Sequence, residues 1–245
     1  PERTSMSQAA HAELVATPHC QDNLGASMTR SSTPPGHSAY SWAGLGATGR
    51  VPPGHTKFSW RGERDVFAEK YAARISDMDH RHFDEFLDGV DKNWVCPWQG
   101  CDVSDIDGFV QFAQLSAEDI LLDLGCGDGR VLVHAAARSG CSGLGLDISA
   151  DCIACARGIA ASEGQAHLVR FETCDFCQPD SLPDVQATTV VFVYLVPKAL
   201  AAVRPVLEAL RREGKRVFTH EYHFEDWPAL CRDQVHDLVE LAALE

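Results

Sequence analysis

Basic residues are scarce in this chain: 21 Lys and Arg stand against 35 Asp and Glu, a net charge of −14 over 245 residues. So acidic a protein repels phosphate backbones, which argues against nucleic acid as a partner and favours basic protein segments or small molecules. Long apolar runs are missing too. The longest, Val190 to Pro197, is strand-sized and far below the roughly 18 residues that read as a membrane span. With no signal peptide in view, the ten cysteines read as reduced thiols of an intracellular protein, cytoplasmic or mitochondrial. Acids are rare in residues 1–60, which hold only Glu2, Glu13 and Asp22 beside four Lys or Arg. Ser, Thr, Pro, Gly and Ala dominate there without helical or strand period, so residues 1–63 read as a disordered low-complexity tail. Composition of this kind also suits an organelle transit peptide. The chain starts at Pro1 rather than Met, which reads as a fragment.

What is present is concentrated in one stretch. Ile120 to Leu124 reads as a buried strand, and Gly125-Cys126-Gly127-Asp128-Gly129 follows as a glycine-rich turn before a helix. Glycines at 125 and 127 let backbone approach a ligand where side chains would collide. The helix behind the turn offers unpaired N–H groups and a positive dipole end to ligand oxygens. A second strand, Gly143 to Leu146, ends at Asp147, twenty positions after Gly127. An acid there can accept hydrogen bonds from both ribose hydroxyls. These features together predict nucleoside binding, and two chemistries fit. A dinucleotide-binding turn needs a third glycine where this chain has Arg130, so a nicotinamide-dependent oxidoreductase is the weaker of the two.

The run from Asp123 through Gly125, Gly127 and Gly129 resembles motif I of the class I S-adenosylmethionine (SAM) methyltransferases. That resemblance implies SAM as cofactor, with Asp123, Gly125, Cys126, Gly127 and Asp128 at motif I and Asp147 and Ile148 after the second strand. It also implies that Asp175 contacts the adenine amino group and that Phe176 covers the ring. Asp128 has two readings, contact with the methionine end of the cofactor or a cap on the helix. Strands at 119–124, 142–147, 167–172, 188–193 and 215–220 alternate with helices at 130–139, 150–162 and 198–212. This order predicts an α/β fold, a doubly wound and mostly parallel sheet of Rossmann-like type. Gly140 and Gly164 fall at helix ends, Ser149 caps the second helix, and Pro205 should kink the third. The family's sheet ends in a reversed strand beside the fifth. Only Val235 to Leu241 suggests a further strand here, so a truncated C-terminus is expected.

Upstream, residues 64–103 read as a helical and extended cap, and residues 104–245 as the SAM-binding domain. Ser104 looks like the cap of a helix that packs through Ile106, Phe109, Val110 and Ala113. After the fourth strand the chain has Tyr194-Leu195-Val196-Pro197, without the Asn/Asp-Pro-Pro-Tyr/Phe of amide and adenine methyltransferases. Together with Arg204-Pro205 and His220 to Trp227, this is similar to a small family of bacterial proteins and mitochondrial protein-lysine methyltransferases. The resemblance implies methyl transfer to a protein side chain, lysine first, with Tyr194, His220 and Glu221 as candidate catalytic residues. A small-molecule acceptor and an inactive methyltransferase-like binding protein are the alternatives. Cys152-x-x-Cys155 and Cys174-x-x-Cys177 match a zinc-ribbon spacing, but one pair falls in a helix and the other flanks Asp175. A ribbon needs two tight knuckles, so no metal site is expected.

Overall fold

The computed structural model describes Lys70 and residues 99–244. The tail at 1–63 and, apart from Lys70 and residues 99–103, the cap at 64–103 lie outside the described residues. The elements are α1 (Val103–Phe112), β1 (Ile120–Leu124), α2 (Arg130–Ser139), β2 (Ser142–Asp147), α3 (Ala150–Ser162) and β3 (Val169–Thr173). They continue with β4 (Val190–Val193), α4 (Pro197–Arg212), β5 (Arg216–His220), β6 (Ala229–Asp233) and β7 (Leu238–Leu241). The strands form one seven-stranded sheet in the order β3-β2-β1-β4-β5-β7-β6. β1 to β5 are parallel, while β7 runs antiparallel to both β5 and β6.

Side chains of the central strands divide between two cores with the period of two that a strand imposes. Val190 and Phe192 join Leu121, Phe218 and the buried faces of α1, α2 and α3. Val191 and Val193 join Leu122, Leu124, Val217 and the apolar face of α4. Buried on both sides, these strands need continuous apolar runs, and Ile120 to Leu124 and Val190 to Val193 supply them. β2 departs from that rule through Gly143 and Gly145. A Cβ on Gly145 would lie 2.6 Å from Phe171 and 2.8 Å from Cys126 Sγ. The missing side chain lets the motif I turn sit directly against β2.

Helix ends follow their local chemistry. Gly140 and Gly164 are left-handed at φ +75° and +72°. The Ser149 hydroxyl accepts the Cys152 N–H at 3.2 Å. Ser149→Ala should cost about 1 kcal/mol, read as a lowered denaturant midpoint with unchanged slope. Two expectations, the Ser104 cap and the missing terminal strand, need correction. α1 is capped by Asp102, whose carbonyl accepts N–H bonds from Asp105 and Ile106 at 3.0 Å each, and Ser104 lies exposed in the first turn. α4 carries Pro205 within its span and continues to Arg212. The reversed strand is present: it is β7, within the predicted 235–241, and β6 was not foreseen at all. The forecast of a missing terminal strand therefore fails. β6 alternates half-buried and exposed residues, including Arg232, and such a strand looks like a loop.

Candidate functional site

Sheets of this kind bind ligands outside the carboxyl ends of their strands, where the strand order reverses. Here that point lies between β1 and β4. Leaving β1, Gly125 adopts φ +86°, and a Cβ added to it would stand 2.8 Å from Leu195 Cδ2 and 3.9 Å from Phe176 Cζ. Three loops thus converge on one glycine: the turn after β1, the Phe176 loop after β3 and the Leu195 loop after β4. Any larger residue at 125 would be both strained and obstructed.

The turn is held by Asp147 at the tip of β2. One of its oxygens accepts the Gly127 N–H at 2.9 Å and the other accepts the Ser149 N–H at 2.9 Å. Burial pushes this carboxyl up, and the two backbone N–H groups oppose that shift. Each oxygen keeps a further lone pair for a hydroxyl donor. Ile148 beside it is half-buried. Asp123, on β1 below the turn, is buried, and one of its oxygens has no hydrogen-bond partner. Burial, then the charges of Asp147 and Asp128, push its carboxyl up to about 8. A buried, unsatisfied carboxyl beside a glycine turn fits a ligand that brings a positive charge.

Other predicted residues are placed differently. Asp128 is fully committed to Arg130: its two oxygens accept from Nε at 3.1 and 3.0 Å and from Nη2 at 2.8 Å. It also accepts the Arg130 N–H at 3.2 Å, at the first turn of α2. Cys126 turns its thiol into the core against β2, so what it offers the turn is backbone. Asp175 is half-buried and accepts the Cys177 N–H at 3.2 Å, while Phe176 is buried. Cys152 and Cys155 lie on α3, on its buried side.

Across the turn, β4 and β5 deliver a second group. The Tyr194 hydroxyl donates to Glu221 Oε2 at 2.8 Å. Burial, the Glu221 charge and this hydrogen bond together hold the Tyr194 phenol well above its usual range. His220 is 1% exposed, its ring 4.6 Å from that of Tyr194 in an edge-on contact. Tyr222 stacks with Tyr194, with centroids 6.5 Å apart. Sequence reasoning missed two members of the group, Tyr222 and Asp105. Asp105 is buried on α1, its Oδ2 3.8 Å from His220 Nε2. The signal for it was an acid standing in the same helical stripe as Phe109 and Phe112.

Residues 123–231 match the family model of the ANTKMT methyltransferase domain. A protein-lysine N-methyltransferase of Saccharolobus islandicus is 29% identical over 119 residues, 48% of this chain and 71% of that protein. The crystal structure of an RNA methyltransferase from Salinibacter ruber, in complex with S-adenosyl-L-homocysteine, is 31% identical. It aligns over 56% of this chain and 88% of its own, with a TM-score of 0.49. A SAM-dependent methyltransferase from Thiobacillus denitrificans, also bound to S-adenosyl-L-homocysteine, is 24% identical over 51% and 50% of the two chains, with a TM-score of 0.42. With its motif I turn, its spaced acids and this sheet order, the chain belongs to the class I SAM-dependent methyltransferases.

Proposed function

We propose that this enzyme methylates a lysine side chain of a protein partner, and that the acceptor amine docks at Tyr194 and Glu221. The observation that carries the reading is the 2.8 Å contact between these two groups, at the carboxyl ends of β4 and β5, across from the glycine turn. Likeness to a protein-lysine N-methyltransferase supports it, and so does the charge of −14, which suits a basic protein segment.

In this reading Asp147 accepts the ribose hydroxyls and Asp175 and Phe176 take the adenine. Gly125, Cys126 and Gly127 present backbone, Ile148 lines the nucleoside, and Asp123 faces the positive methionine end. Asp128 acts through Arg130 by fixing the start of α2. Bound SAM supplies a methyl group already activated on its sulfonium. The work left to the protein is to align the amine, exclude water and hold the amine unprotonated. Glu221 draws the incoming ammonium by charge and accepts its proton. Tyr194 offers a ring face to the cation and fixes the carboxylate through its hydroxyl. His220, buried behind Tyr194, holds that ring in place.

Incubating the protein with methyl-labelled SAM and separate protein, RNA and small-molecule extracts tests this. Label should enter protein and survive as methyllysine in an acid hydrolysate; label confined to RNA or to small molecules would overturn the reading. Glu221→Gln and Tyr194→Phe should each lower turnover about tenfold or more while leaving SAM affinity within about twofold.

A further inference from the structure

Glu221 reaches Tyr194 from an uncommon backbone. It has φ +56°, a left-handed conformation unfavourable for a residue with a side chain, and Asp237 in the turn before β7 shares it at +50°. The two are tied together, the Glu221 N–H donating to the Asp237 carbonyl at 3.1 Å. Around Glu221 the chain folds back tightly, with the Tyr222 N–H on the His220 carbonyl at 2.6 Å. A left-handed residue persists only where its surroundings fix it.

His223 is placed to fix it. One ring nitrogen meets the Thr219 hydroxyl at 2.7 Å, and the other meets Asp237 Oδ1 at 3.1 Å. Thr, His and Asp in series look like a nucleophile with its base and orienting acid. Thr219 is completely buried, however, so its hydroxyl cannot meet a substrate. The series is a brace. It joins the end of β5 to the turn before β7 across the residue that carries the site carboxylate. The far half of the same loop is fastened elsewhere. Phe224 and Trp227 stack with centroids 3.9 Å apart, and Arg204 and Arg211 lie over the Trp227 ring at 4.7 and 4.3 Å. Arg204 also pairs with Asp226. His223 therefore controls the half of the loop that α4 does not hold.

We propose that His223 is a positioning residue for methyl transfer: by bridging Thr219 and Asp237 it keeps Glu221 left-handed and its carboxylate on the Tyr194 hydroxyl. The proposal rests on the reading of Tyr194 and Glu221 as the acceptor site. It is tested on the full chain labelled with ¹³Cζ-tyrosine, the Tyr194 signal being assigned through Tyr194→Phe. In His223→Ala that signal should move, and the phenol should ionise at lower pH, because the carboxylate that raises it has left. His223→Gln, which retains a donor and an acceptor, should keep the signal near its native position. Turnover on the acceptor found by labelling should fall about tenfold in His223→Ala with SAM affinity unchanged. The loss should vanish in the Glu221→Gln background, since coupled residues do not add.

A Tyr194 signal unmoved by His223→Ala, or losses that multiply in the double variant, would overturn the brace. A signal that moves while neither His223→Ala nor Glu221→Gln alters transfer would uphold the brace and overturn the acceptor site. Should His223→Ala not fold, Thr219→Val and Asp237→Gly each remove one end of the bridge, and the same signal is read.

Discussion

Asp147→Ala should bind SAM and S-adenosyl-L-homocysteine about a hundredfold to a thousandfold more weakly than the wild type. The carboxylate does two jobs at once. It pins the glycine turn through the Gly127 N–H and the start of α3 through the Ser149 N–H. In the proposed reading its remaining lone pairs are those offered to the ribose. Hydrogen bonds to a charged group contribute about 1.5–3 kcal/mol each, so losing two acceptors is worth about 3–6 kcal/mol, and the lower part of that span applies where water can take up the freed hydroxyls. That lower part corresponds to the stated range of affinity. Asp147→Asn keeps one acceptor oxygen and should fall between. Neither change touches the backbone pairing of β2 with β1 and β3, so circular dichroism should be native. Calorimetric titration decides the matter: wild-type affinity in a folded Asp147→Ala would remove this residue from the cofactor site.

A second large effect follows from Asp123, whose carboxyl sits at about 8 instead of the ordinary 3.8. Between about pH 4 and about pH 8 the folded protein retains this proton while the unfolded chain has lost it. The native state binds more protons in that window, so stability falls as pH rises, by up to about 1.4 kcal/mol per pH unit. Above about pH 8 the contribution is gone and the slope ends. Asp123→Asn has no proton to lose, and its unfolding free energy should be flatter across the same window.

Cofactor binding should show the linked effect. SAM carries positive charge on its sulfonium and its ammonium, and a cation beside Asp123 favours the ionised carboxylate. Binding near neutral pH should then release a proton, and affinity should rise from about pH 6 to about pH 8 by up to tenfold per unit. Titrations in buffers of different ionisation enthalpy count that proton directly. S-adenosyl-L-homocysteine, lacking the sulfonium charge, should release less, and Asp123→Asn should release none. Proton release that persists in Asp123→Asn would assign the linkage to another group.

What the sequence by itself determined is local. Alternating strand and helix patterns, the Gly-x-Gly-x-Gly run, the left-handed glycines at 140 and 164 and the Ser149 cap all depend on neighbours in the chain. Backbone conformation there follows from residue type and short-range spacing. For the same reason Asp123, Asp147 and the glycine turn could be named in advance.

Tertiary structure alone decided what depends on partners far away in the chain. β6 and β7 are short, and β6 is half-exposed, so their apolar pattern is weak until β5 provides an edge on which β7 pairs. Asp128 stands where a ligand contact was a fair expectation, yet its nearest cation is Arg130, which turns back over it when α2 packs. Asp105 meets His220 only because α1 packs on β4 and β5, with Phe109 against Phe192 and Phe218. His223 joins Thr219 to Asp237 only because β7 inserts between β5 and β6. Local pattern fixes backbone over a few residues, whereas the partners of a buried charge are chosen by packing and by the cost of leaving that charge unpaired.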